Sequence, residues 1–140
     1  MDVELTIRFE WVKVGPVRVD LLGKLKFPFV PSNAGLYRFE IEDQRGTKEY
    51  IGETDLLDRR FQHYRTPGPT QSTNIRLNLL MLETLKANGS VIVSIITDGA
   101  KIAIDGRASR ARMQNKSERV LLEHAAIYIA REAGKTLINL

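Results

Sequence analysis

Two tyrosines, one arginine and one glutamate carry most of the chemistry this chain offers. Tyr37 follows Gly35-Leu36 and Tyr50 precedes Ile51-Gly52, each in a stretch that reads as a strand. The glycine beside each lets the backbone pass close to another group. Arg60 falls four residues from both Leu56 and Tyr64, so it shares the inward stripe of a helix with Leu57 and Phe61. Arg59 falls instead with Asp55, Asp58 and Gln62 on the polar side. An inward guanidinium must find an anion or several acceptors. It is an ion-pair partner, a side chain that snorkels outward, or a phosphate ligand whose planar fork matches two oxygens. Glu123 sits in the apolar run Val120 to Ala130, with Ala126, Ile127 and Ala130 one turn on. Small neighbours leave room for water or an ion. Glu123 is therefore either half of a buried salt bridge, Arg60 being one possible partner, or a ligand for a hard cation. Magnesium takes one or two carboxylates and completes its shell with water and phosphate oxygens. Phenols, a guanidinium and a lone carboxylate are groups with which a phosphodiester can be hydrolysed.

The elements that must position these groups are legible in outline. Residues 3 to 12 alternate, with Val3, Leu5, Ile7, Phe9 and Trp11 on one face. Gly15-Pro16 breaks the pattern, and Val17, Val19 and Leu21 resume it, which predicts an antiparallel hairpin. A strand from Gly35 to Ile41, the turn Asp43-Gln44-Arg45-Gly46 and a strand from Lys48 to Gly52 form a second hairpin. Thr54 or Asp55 is placed to cap the first helix, and Pro67-Gly68-Pro69 ends that segment. A second helix from Ser72 or Thr73 carries the stripe Ile75, Leu79, Leu82 and Leu85, closed by Gly89. Val91 to Thr97 reads as a buried strand, with Lys101 to Ile104 returning beside it through Asp98-Gly99. The last helix spans Ser117 to Ala133 and is apolar nearly all round, so protein is expected to cover it well; Leu137 to Leu140 forms a short C-terminal segment. Glu118 lies in its first turn, where the helix dipole favours any acid.

Composition narrows the classes. The chain has 140 residues, 43% hydrophobic and 27% charged, as expected for one globular domain. It has no cysteine and only two histidines, which argues against disulfides, thiolate metal sites and a histidine-built zinc site. No apolar run reaches membrane-spanning length, and the start, Met-Asp-Val-Glu, has neither the basic region nor the apolar core of a signal peptide. The expected location is cytoplasmic. Net charge is +4 with a pI near 9.5, which favours a polyanionic partner. Gly106 to Ser117 holds Arg107, Arg110, Arg112 and Lys116 with no acid. This segment is either a solvated basic loop or a mobile phosphate clamp whose binding depends on salt.

Taken together, these residues resemble the GIY-YIG nuclease superfamily. Gly35-Leu36-Tyr37 stands for the first motif, with leucine for isoleucine, and Tyr50-Ile51-Gly52 is the second. Arg60 matches the helix arginine, Tyr64 the tyrosine or histidine one turn on, Glu123 the metal-binding glutamate and Asn139 the late asparagine. The resemblance runs from Gly35 to Leu140. It implies an α+β fold, a small antiparallel sheet flanked by helices, here with an extra N-terminal β-hairpin (residues 1–33) packed on a nuclease domain (34–140). It also implies one Mg²⁺ or Mn²⁺ on Glu123, a phosphate clamp at Arg60, a water activated by Tyr37 or Tyr50, orientation by Tyr64, and Asn139 fixing the glutamate helix or a water. After the arginine, where homing members of the superfamily often carry histidine, this chain has His63, Asn74 and Arg76; His63 falls toward the polar side of its helix. No recognition helix or zinc module is legible in these residues. Contacts to nucleic acid are expected from Arg59, Arg65, Asn74, Arg76, Arg107, Arg110, Arg112 and Lys116, or from a homodimer or a partner that confers specificity. DNA is the expected substrate, single-stranded, branched or duplex. The rival readings are an RNA-directed nuclease, a non-catalytic nucleic-acid-binding module and a small-ligand or protein-interaction domain.

Overall fold

A computed structural model describes residues 1–139; Leu140, the end of the expected C-terminal segment and of the expected 34–140 domain, lies outside the described residues. Strands β1 (Leu5–Arg8), β2 (Val12–Pro16), β3 (Arg18–Val19) and β4 (Leu25–Lys26) precede the central hairpin, β5 (Gly35–Asp43) and β6 (Gly46–Thr54). Helices α1 (Leu57–Arg65) and α2 (Ser72–Lys86) follow, then β7 (Ser90–Ile96), β8 (Lys101–Ile104), β9 (Arg107–Arg110), α3 (Lys116–Glu132) and β10 (Thr136–Leu137). The class is α+β, as expected.

The central sheet has the order β10-β6-β5-β7-β2. Its core is antiparallel: Tyr37 pairs with Gly52 on one side and Ile95 on the other. Alternation along β5 sends Tyr37, Phe39 and Ile41 into one core with Phe61 and Tyr64 of α1 and Leu77 and Met81 of α2. Leu36, Ile51 and Ile96 point the other way, into a second core with Leu122 and Ala126 of α3. The sheet is thus covered on both faces, which explains why β7 is a continuous apolar run.

The N-terminal β segment pairs differently from the expected hairpin. β1 lies antiparallel to β8, and β2 lies antiparallel to β7 with a bulge between Lys13 and Gly15. The N-terminal hairpin is instead the short pair β3 and β4. β8 likewise returns beside β1 and β9 rather than beside β7, forming a separate sheet in the order β1-β8-β9. Gly106 to Ser117 is therefore not a continuous mobile loop, since β9 occupies its first half.

Three helix details also differ. α1 is capped by Leu56 without a side-chain bond; Thr54 is still in β6, where its Oγ1 accepts from the Leu56 amide at 3.2 Å. α2 buries Asn74, Leu77, Met81 and Thr84, while Leu79 is exposed. Its left-handed residue is Asn88, φ 64°, and Gly89 is required because a β-carbon there would collide with the Glu42 carbonyl. On α3, Leu121, Tyr128 and Ile129 remain exposed, so that helix is covered on one side only. No helix among the described residues is long and apolar enough to cross a membrane.

Candidate active site

Tyr37 and Tyr64 are sealed inside the first core, at 1% and 0% exposure, and their hydroxyls meet at 2.6 Å. Tyr37 comes from β5 and Tyr64 from α1, which follows β6 after a short connection and lays its inward stripe against the sheet. Tyr37 fits because its neighbour across the hairpin is Gly52: a β-carbon there would lie 2.5 Å from the Tyr37 ring and hydroxyl. Gly35 serves the other motif in the same way, since a β-carbon would strike the Ile96 carbonyl. Burial pushes both phenols upward, Tyr37 well above its ordinary value, so both stay protonated near neutral pH. Tyr50 is only half-buried; its ring centroid lies 6.3 Å from that of Tyr37, and its phenol adds to the upward push on both Tyr37 and Tyr64.

Arg60 is half-buried against this phenol cluster, as its position on the inward stripe anticipates. Burial pulls its pKa down, and the oxygens of Tyr37, Tyr64 and Tyr50 more than offset that. Its charge also acts on Glu123. Arg60 and Glu123 form no ion pair among the described residues; the basic side chain within 4 Å of the carboxylate is the His124 imidazole, at 3.8 Å. The guanidinium thus interacts with the phenols and, beyond ion-pair distance, with the Glu123 carboxylate.

Glu123 lies on α3 beside the end of β6. Burial and the neighbouring Glu53 carboxylate raise its protonation range above the ordinary carboxylate value, against the pull of His124, the Glu53 backbone amide and Arg60. Glu53 directly follows Gly52 and was not anticipated as part of this site. It is held by Arg119, whose Nε donates at 2.7 Å and whose Nη1 donates to the Met113 carbonyl at 2.8 Å. Arg119 is one turn before Glu123 on α3 and is 5% exposed. That pair ties the glutamate helix to the second motif. The sequence signal was available: Arg119 interrupts an apolar stripe in the same way as Arg60.

Asn139 closes the edge of β6. Its Oδ1 accepts from the Ile51 amide at 3.0 Å and its Nδ2 donates to the Ile51 carbonyl. The side chain mimics a neighbouring strand where β10 has ended, so it fixes the second motif rather than the glutamate helix. Asn139→Ala is expected to cost about 2 kcal/mol in urea unfolding, the sum of two net hydrogen bonds.

The residues expected to contact nucleic acid fall into two groups. Arg59 pairs with Asp55 at 2.5 Å on the exposed side of α1. Arg65 is held by Asp20 at 2.7 Å and by the Leu25 carbonyl. Asn74 is buried and bonds Gln71, and Arg112 is bound to Glu118. Arg65 thereby ties α1 to the β3–β4 segment, and Asn74 bonds the residue that begins its own helix. Glu118, by contrast, takes the first-turn position expected of it, its amide capped by Asn115. Arg76 is exposed and reaches the Ile138 carbonyl beside Asn139. Arg107, Arg110 and Lys116 are exposed and enter no ion pair among the described residues. His63 is half-buried in the last turn of α1.

A divalent cation suits these groups. Two carboxylates, Glu123 and Glu53, are close enough to repel, and a cation between them relieves that repulsion. Among the described residues no three metal-binding side chains gather at one point. A cation here would keep open positions for water and phosphate oxygens, the habit of magnesium.

No family model matches the chain, and no curated protein matches it. A solved structure does. A mutant of bacteriophage T4 EndoII aligns over 86% of this chain and 87% of its own, with a TM-score of 0.57 and 19% identity. At that identity the likeness is one of fold: the α+β arrangement that gathers these phenols, Arg60 and Glu123 resembles the fold of EndoII.

Proposed function

We propose that this protein is a metal-dependent endonuclease of the GIY-YIG type that hydrolyses phosphodiester bonds in DNA. The observation that carries the reading is the convergence of Arg60 with Tyr37, Tyr50 and Tyr64 on one side and Glu123 on the other. The fold likeness to EndoII, a phage endonuclease by its name, supports it.

The residues divide the work by their environment. Arg60 binds the scissile phosphate through its fork and offsets the charge that accumulates on the phosphoryl oxygens. Tyr50, the phenol that burial does not seal, orients the attacking water and takes its proton. Tyr37 and Tyr64 share a 2.6 Å hydrogen bond in which either hydroxyl can donate, and these two phenols, kept neutral by burial, can stabilise the developing phenolate of Tyr50. Glu123, with Glu53 beside it, would hold a Mg²⁺ or Mn²⁺ ion, which would supply Lewis-acid stabilisation of the leaving oxygen. Glu53 and Arg119 position Glu123, and Asn139 holds the strand that carries Tyr50.

The test is a cleavage assay on labelled single-stranded, branched and duplex DNA and on RNA, with and without Mg²⁺. Cleavage is expected to require the ion and to fall by about two to three orders of magnitude in Arg60→Ala. Binding of every substrate without cleavage of any would favour the non-catalytic module. A companion series separates the phenols. Tyr50→Phe is expected to lower the cleavage rate by about 100-fold or more and to flatten its rise with pH. Tyr37→Phe is expected to lower stability by about 1–3 kcal/mol, because it leaves the buried Tyr64 hydroxyl without its hydrogen-bond partner, while the pH profile keeps its shape.

A further inference from the structure

The small sheet of β1, β8 and β9 has a free outer face, and strand register decides what that face presents. Arg8 pairs with Lys101, and Lys101 pairs with Arg110. Directly paired residues share a face, so three cations form one row across three strands. All three are exposed, and none enters an ion pair among the described residues. Like charges directly opposite one another destabilise a sheet unless an anion neutralises them. The next row on the same face is Thr6, Ala103 and Ala108. With Arg8 and Lys101 these short side chains line a shallow trough. The acids stand at the far end, where Glu4 and Asp105 bond each other's backbone. The inner face carries Ile7 and Ile102, which pack on the second core, so the outer face cannot be the buried one.

We infer that the row Arg8, Lys101 and Arg110 is a second binding surface, for the sugar-phosphate backbone of nucleic acid away from the scissile bond. Neighbouring strands lie about 4.8 Å apart, so the row spans about 10 Å. One DNA strand carries a phosphate per about 3.4 Å of axial rise, so up to three phosphates can face the row. The short second row lets a sugar-phosphate chain approach the sheet, and the acidic end sets which side it must avoid. Arg8 and Lys101 are separated by most of the chain, so only the fold brings them to Arg110. The inference rests on the nuclease reading and extends it to substrate capture.

The experiment compares the wild-type chain with a triple variant, Arg8→Gln, Lys101→Gln and Arg110→Gln. A control of equal charge change is Arg18→Gln, Lys24→Gln and Lys26→Gln, on the β3–β4 hairpin. Duplex binding is followed by fluorescence anisotropy across a salt series with EDTA present. Hydrolysis of a small aryl phosphodiester ester of thymidine, which occupies only the cleavage site, is measured with Mg²⁺. Each lost phosphate contact should reduce the slope of log K against log salt by about 0.9. The row variant is expected to lose about 2 to 3 in slope and at least tenfold in affinity, with small-ester turnover unchanged and the control near wild type. Equal loss in the control would mean net charge alone matters and would overturn the inference. So would unchanged duplex affinity. If the row variant loses DNA but the wild type hydrolyses neither substrate, the row stands and the nuclease reading falls.

Discussion

Glu123→Gln is expected to abolish cleavage, by about 1000-fold, and at the same time to raise the melting temperature of the metal-free protein near pH 7.5. The two effects share a cause. The wild-type carboxylate is half-buried beside Glu53, so folding raises its protonation range above the ordinary value. A carboxyl that binds its proton more tightly when folded contributes stability at low pH. That contribution is complete below its unfolded value and is lost as pH rises through its folded one. Near pH 7.5 the metal-free protein therefore carries an unfavourable charge that glutamine removes without changing shape. The expected gain is about 1–3 °C, and it should vanish near pH 4, where the carboxyl is largely protonated. Mn²⁺ should raise the melting temperature of wild type and leave the variant unmoved, because a ligand stabilises only the form that binds it. Thermal melts at both pH values, with and without Mn²⁺, check all of this. A variant less stable than wild type at pH 7.5 would show that Glu123 is a structural ion-pair partner after all.

Gly52→Ala is the second large effect. The added β-carbon would lie 2.5 Å from the Tyr37 ring and hydroxyl, and Tyr37 is boxed in by Phe39, Phe61 and Tyr64 with ring centroids 5.3 to 6.0 Å away. Neither partner can retreat: Gly52 is mid-strand, paired to Tyr37 itself. Overpacking of this kind costs about 1–3 kcal/mol, read as a lower urea midpoint with unchanged slope. Displacing the ring also breaks the 2.6 Å contact to Tyr64, so the cleavage rate should fall more than the folded fraction does. A variant of normal stability and activity would mean that the glycine of the second motif is not there to admit Tyr37.

What the sequence made legible was local. Arg60 could be placed by phase because Leu56 and Tyr64 lie one turn away on either side, and Glu123 stood out as a carboxylate in an apolar run. The hairpin of β5 and β6 was readable because a two-residue turn, Gln44-Arg45, joins strands of matching alternation. The failures were of partnership. β1 alternates as a half-buried strand must, yet its mate, β8, lies about a hundred residues later, and alternation names no partner. Glu53 looked like an ordinary polar strand residue until α3 delivered Arg119 and Glu123 to it. The hold of Asp20 on Arg65 was illegible for the same reason, since the two lie forty-five residues apart in the chain. The stripe of α2 was misphased because leucines occur all round that helix, and the buried positions include the polar Asn74 and Thr84. Thr84 satisfies its hydroxyl on the Leu80 carbonyl at 2.8 Å, a bond within the helix that pattern cannot reveal.

The account stands on one site that gathers a cation at Glu123, a phosphate at Arg60 and a phenol at Tyr50. The direct measurement is NMR of ¹⁵N-labelled protein titrated with Mn²⁺ beside a phosphorothioate oligonucleotide that resists hydrolysis. Paramagnetic broadening should fall first on the amides of Glu53 and Glu123, then on Gly52 and Arg60, and should disappear in Glu123→Gln while the oligonucleotide still shifts Arg60. Broadening centred on any other part of the molecule, or an Arg60 that does not respond to the oligonucleotide, would contradict it.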